Sequence, residues 1–237
     1  MKKIISLCIS ALLFIITPCT CFAEEETKNY VQCTLLMEAS TGTVISEENG
    51  YKRVPQGTLN KLMTVLLTAE EIECGKMSVD TKLTASANAN QQQGAVVWLM
   101  QGETITVDEL LKAVIIGNAN DASMVLAEEI GGDENEFVGM MNARAFELGM
   151  RDTVFKNCAG YDAQGQYSTA YDTALLTREL LKHDFLKSYM TSWMDSVRNG
   201  QTELVNENRL VRTYEGILGV KAGHSLSLIH ISEPTRP

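Results

Sequence analysis

The sequence predicts an α+β fold in which strands bracket a central helical cluster. Three observations predict it: two short apolar stretches around a turn near the start, helix-length apolar patterns through the middle, and a strand-like apolar stretch late in the chain. Residues 33–38 and 44–46 flank Ala39-Ser40-Thr41-Gly42, which reads as a hairpin,. Pro55-Gln56-Gly57 is a break. After it Leu59, Leu62, Met63, Leu66, Ala69 and Ile72 recur at helical spacing until Gly75,. That stretch is apolar on several sides, as a central buried helix would be. Residues 81–94 are polar and irregular and read as a surface loop. Thr106-Val107-Asp108-Glu109 is a capping box opening a helix through Leu110, Leu111, Val114 and Ile115,. Asp121 is expected to cap the next helix, which ends at Gly131-Gly132. Residues 134–148 form another, stopped by Gly149, and residues 169–183 are amphipathic. Residues 217–221 read as a strand, so strands at the two ends are expected to contribute an antiparallel sheet, incomplete in this chain. No internal repeat is present.

Composition narrows the function classes. The chain has 237 residues, enough for one domain, with 45% apolar and 21% charged residues, as in soluble globular proteins,. Lys+Arg 20 against Asp+Glu 30 gives a net charge of −10 and no basic run, which argues against nucleic acid as a partner,. Three histidines and the absence of HExxH or CxxC argue against a histidine-rich metal site,.

Residues 1–23 read as a cleaved export signal: Lys2 and Lys3, an apolar run from Ile4 to Ile16, then Cys21-Phe22-Ala23 before three glutamates,. The run is shorter than the roughly 20 residues of a spanning helix. The mature chain is therefore expected outside the cytoplasm, with Cys33, Cys74 and Cys158 too few for a disulfide framework,. Residues 225–237 resemble translated sequencing-adaptor read-through and are expected to be a non-native tail, leaving 24–224 as the domain.

Three short constellations carry candidate chemistry. Thr58 and Lys61 stand three apart at the start of the buried helix, so a hydroxyl and an amine share a face near its positive end,. Burial there favours a neutral lysine able to take the hydroxyl proton. Taken alone, the pair reads more simply as a helix cap and a solvated lysine. Asn118-Ala119-Asn120 lies in a helix break, where amides either bind a substrate backbone or cap helix ends. Lys221-Ala222-Gly223 offers a cation for a carboxylate and a glycine that admits a ligand backbone, or merely a strand-edge lysine and a turn,.

In this order the three motifs resemble the layout of penicillin-binding proteins and serine β-lactamases. Residues 35–44, Lys61-Leu62-Met63-Thr64, residues 117–132, 141–161 and 167–172, and Asn208-Arg209-Leu210 narrow the resemblance to the secreted D-alanyl-D-alanine carboxypeptidases, the low-molecular-mass penicillin-binding proteins. The resemblance runs from about residue 30 to residue 224. It implies a β-lactamase/transpeptidase-like fold and an acyl-enzyme reaction that removes terminal D-Ala from peptidoglycan stem peptides. It also implies binding of β-lactams and no metal or organic cofactor. Thr58 falls where the nucleophilic serine belongs, Lys61 matches the general base, Asn118 replaces a proton-relaying serine and Asn120 matches a substrate-binding asparagine. Lys221 and Gly223 match the third motif, and Ala222 replaces its threonine.

The replacements are expected to lower activity. Thr58 adds a methyl and a restricted χ1, and a misplacement of about 1 Å costs on the order of 10²-fold. Asn118 cannot relay a proton, a role typically worth ~10²–10⁴-fold. Ala222 lacks a hydrogen bond to the substrate carboxylate worth roughly 1.5–3 kcal/mol. Two functions fit: a carboxypeptidase of reduced turnover, or a non-catalytic homologue that binds stem peptides or a wall partner. In the family, further strands follow the Lys-x-Gly strand, so the last ~20 residues are expected to fold poorly for want of ladder partners. No membrane anchor is visible in the sequence.

Overall fold

The computed structural model describes residues 32–223. Strands β1 (Thr34–Met37) and β2 (Val44–Glu48) pair antiparallel, Leu36 opposite Ser46, around Ala39-Ser40-Thr41-Gly42 as expected. A 3₁₀ turn over Gly57–Asn60 then runs straight into helix α1 (Lys61–Glu73). Residues 81–94 are more ordered than a surface loop, holding β3 (Lys82–Thr84) and the single-turn α2 (Ala87–Asn90). Leu83, Ala85 and Ala89 point inward there, too few to show a period against their polar neighbours.

Strand β4 (Thr104–Thr106) pairs with β3 and feeds α3 (Val107–Ile115). The capping box is formed: Glu109 N donates to Thr106 Oγ1 (3.2 Å) and Thr106 N to Glu109 Oε2 (3.3 Å). Helices α4 (Asn120–Gly131), α5 (Glu134–Glu147) and α6 (Ala170–Leu180) follow, the last two capped by Asp133 and Thr169. Asp121 is not the cap of α4. It lies inside the first turn and accepts hydrogen bonds from Val97 N (3.1 Å) and Leu99 N (3.0 Å). After the short α7 (Lys187–Met190), strands β5 (Met194–Val197) and β6 (Thr202–Val205) form a further hairpin, and α8 (Leu210–Thr213) comes last.

Helix α1 lies at the centre, against α3, α4, α5 and α6. Every residue from Lys61 to Ala69 is buried, which explains an apolar pattern without a polar side,. Met63, Leu66, Leu110, Leu111, Leu126, Phe137 and Phe155 fill the space between the helices. Arg178 on α6 fastens the first hairpin to this cluster, donating from Nε to the Ala39 carbonyl (2.8 Å).

The α+β class holds, but the strand expected over residues 217–221 is not formed. The described residues contain three separate two-stranded sheets, and residues 217–223 belong to none. Apolar side chains favour an extended chain, yet a strand exists only where a neighbour takes its backbone groups. The export signal over residues 1–23, the non-native tail over 225–237 and most of the segment expected to fold poorly lie outside the described residues.

Candidate active site

Lys61 is the first residue of α1 and is fully buried, at 0% exposure. It is not the solvated lysine that the spacing alone allows. Its Nζ donates to the Ala159 carbonyl (2.5 Å). Burial pushes the ammonium pKa well below its ordinary value, and the charge of Lys221 pushes the same way, against the pull of Cys158, Glu207 and Asp121. The unpaired N–H groups at the helix start act in the same sense. That direction favours the neutral amine, the form able to accept a proton.

Thr58 sits in the 3₁₀ turn just ahead, half-buried, and does not cap α1; that position falls to Asn60. Two glycines crowd the turn. Gly160, at φ +88°, approaches so closely that a Cβ would come within 2.7 Å of Thr58 Cα. A Cβ on Gly223 would come within 2.6 Å of Leu59 Cγ, so residue 223 reaches the same turn.

Asn118 and Asn120 flank the start of α4, and neither caps a helix. Asn118 adopts φ +57°, a left-handed conformation that asparagine tolerates better than most residues,. It donates from Nδ2 to Glu207 Oε2 (3.3 Å). Asn120 donates to the Gln93 carbonyl (2.6 Å) and to the Tyr161 hydroxyl (3.1 Å). The Oδ1 atoms of both asparagines are buried and meet no hydrogen-bond partner among the described residues.

Lys221 is half-buried and donates from Nζ to the Val114 (3.0 Å) and Ile115 (3.4 Å) carbonyls at the end of α3. Burial lowers its pKa to about 8 against the pull of Glu207, so it stays largely charged at neutral pH. Ala222 beside it is half-buried and offers no hydroxyl.

These contacts bring the residues of the three motifs together. The segment from Ala159 to Tyr161 binds Lys61 at one end and Asn120 at the other, with Gly160 on Thr58 between them. Lys221 and Gly223 contribute from the end of the described chain, against α3 and Leu59. Asn157 holds the connecting loop by accepting from Gly160 N (2.6 Å) and Tyr161 N (2.9 Å). The sequence reading missed Glu207, whose carboxylate acts on Asn118, Lys61 and Lys221 together. No motif marks it. It also missed the Tyr161 hydroxyl as a partner of Asn120.

Cys158 lies near Lys61 but is no rival nucleophile, since burial and Glu134 raise its thiol pKa well above normal. A groove of about 700 Å³ between β1 and α6 is mostly apolar and reaches the site only at Leu59 and Gly223. Its lining holds none of Thr58, Lys61, Asn118, Asn120 and Lys221, so the chemistry lies elsewhere. Among the described residues no group of three or more His, Cys, Asp or Glu is placed to hold a metal ion.

A buried lysine at the start of the central helix thus lies near an asparagine pair and a second lysine. The sequence profile of the D-alanyl-D-alanine carboxypeptidases matches residues 21–227, and the chain belongs to that family. It is 35% identical over 234 residues to the D-alanyl-D-alanine carboxypeptidase DacF of Bacillus subtilis, covering 95% of this chain and 60% of that protein. Penicillin binding protein 5 of Haemophilus influenzae superposes with a TM-score of 0.77 at 26% identity, covering 82% of this chain and 57% of that one. Penicillin-binding protein D2 of Listeria monocytogenes, solved in a cefotaxime-bound form, gives 0.72 at 28% identity, over 82% and 79%. The chain thus spans about 60% of the Bacillus protein's length.

Proposed function

We propose that the chain removes the terminal D-Ala from peptidoglycan stem peptides in the cell envelope through an acyl-enzyme on Thr58, at reduced turnover. The observation that carries this reading is Lys61, fully buried at the helix start three residues after Thr58. In the reaction Thr58 Oγ1 attacks the penultimate D-Ala carbonyl and its proton passes to Lys61 Nζ. The carbonyl–nitrogen bond then breaks, and the departing D-Ala nitrogen takes a proton from the Lys61 ammonium. Water next attacks the ester, and the Thr58 hydroxyl is restored. Lys221 holds the substrate's terminal carboxylate, and the Oδ1 atoms of Asn118 and Asn120 accept from its backbone N–H groups. A β-lactam would enter as an analogue of the same peptide.

A second reading, a non-catalytic homologue that binds stem peptides, is favoured by the loss of hydroxyls at Asn118 and Ala222. Incubation with a fluorescent penicillin separates the two. An adduct mapped by peptide mass to Thr58, absent in Thr58→Ala and Lys61→Met, supports the acyl-enzyme. No adduct after hours, with stem peptide still bound in calorimetry, supports the binder.

A further inference from the structure

Trp98 is 79% exposed and sits at φ +60°, in the left-handed region where a bulky side chain is an outlier,. Its surroundings leave no freedom to relax. The Asp121 carboxylate takes the amides on both sides, Val97 N and Leu99 N. Arg198 donates to the Val97 (2.6 Å) and Trp98 (3.1 Å) carbonyls, and Asn90 Nδ2 to the Leu99 carbonyl (2.9 Å). A strained backbone is thus held so that an indole faces water. The segment adjoins the start of α4, because the Ala95 carbonyl accepts from the backbone N–H of Asn120 (2.7 Å).

The surface around it has a distinct chemistry. Residues 83–102 contain no Asp, Glu, Lys or Arg, in a chain that is 21% charged, while Asn88, Gln91 and Gln93 are exposed there. Asn90 joins α2 to the Trp98 segment through the Leu99 carbonyl, while Arg198, paired with Glu103, holds the segment's own carbonyls. A flat aromatic face among uncharged amides matches a ligand with an apolar C–H face and hydroxyl and acetamido edges.

We propose that Trp98, with Gln91 and Gln93, forms a saccharide subsite that holds an N-acetylated sugar of the glycan strand while the attached stem peptide enters the cleft. The choice of glycan rests on the carboxypeptidase reading; the sugar chemistry rests on the surface itself. The test uses the full chain carrying Trp193→Phe, which leaves Trp98 as the fluorophore, titrated with a peptide-free tetramer of N-acetylglucosamine. The expected result is a saturable fluorescence change that persists at high salt, since the ligand is uncharged. In calorimetry, Trp98→Ala is expected to weaken binding about tenfold or more, and Trp98→Phe by less. Trp98→Gly, natural at that φ, is a second variant that keeps the fold and is expected to lose binding equally. Absence of a response to the sugar tetramer, or unchanged binding in both Trp98→Ala and Trp98→Gly, would overturn the inference. Penicillin labelling run in parallel keeps the two ideas apart: sugar binding without a label sinks the acyl-enzyme reading and leaves the subsite standing.

Discussion

Thr58→Ser deletes one methyl group from the proposed nucleophile and leaves its oxygen. A β-branched residue has fewer χ1 choices than serine, and the 3₁₀ turn crowded by Gly160 gives it little room to adjust. Restoring serine is therefore expected to speed penicillin acylation by roughly 10–10²-fold, the scale of a small misplacement, read as the rate of gel-resolved label. A rate equal to or below that of the parent chain would place the defect elsewhere, at Asn118 or Ala222. Lys221 sets the pH profile of the same reaction. Its pKa of about 8 means that the cation needed for a carboxylate is lost as pH rises through 8. Acylation is thus expected to decline on that side, with kcat/KM reporting the free protein. Because the charge of Lys221 also helps to keep Lys61 neutral, Lys221→Gln should move the acid side of the profile to higher pH. An unshifted acid side in that variant would show that the two amines do not act on each other.

Among the described residues, helix ends and the loop over residues 157–161, rather than a sheet, hold these groups in place. Gly160→Ala tests that dependence: the new methyl would overlap Gly57 and Thr58, at a φ of +88° that L-residues avoid. A loss of about 2–4 kcal/mol is expected, visible as a melting temperature lower by roughly 5–10 °C, together with loss of label. A stable Gly160→Ala chain that still labels would show that the Ala159–Tyr161 segment is not what positions Thr58. The central helix was legible in the sequence because burial on all sides leaves an apolar pattern with no polar face. The capping box was legible because it is a purely local exchange of hydrogen bonds. The hairpin of β5 and β6 was not read, although Asn199-Gly200 at its turn, both at positive φ, is a hairpin signal,. Its strands, MDSV and TELV, alternate too weakly to show a period. The motif spacings showed candidate residues, but Glu207 beside Asn118 and Lys221 against α3 arise only from chain segments far apart in sequence. The strand over 217–221 failed as an expectation because pairing, unlike apolar bias, is decided by neighbours.

For the folded chain as a whole, two lysines held below their ordinary pKa values are a standing cost in stability. The sign follows from proton binding. Between the folded pKa of Lys221, about 8, and the ordinary value of 10.5, the unfolded chain carries a proton that the folded chain has released. Stability contributed by this group therefore rises with pH across that window, and below it the full cost of burying the ammonium is present. Lys221→Gln removes the charge and with it the cost, so the variant is expected to be more stable near pH 7 by on the order of 1–2 kcal/mol. That is less than the whole shift, since the side chain is half-buried and its bonds to the Val114 and Ile115 carbonyls are lost. The advantage should shrink as pH approaches 10. Comparing variant with parent at each pH is essential, because Tyr189 and Cys158 have raised pKa values and lower the stability of both chains at the alkaline end. Urea melts at pH 7 and pH 10 would show the gap closing. A gap that is constant with pH would mean that Lys221 does not titrate in the folded state, and the alkaline decline of acylation would then need another group.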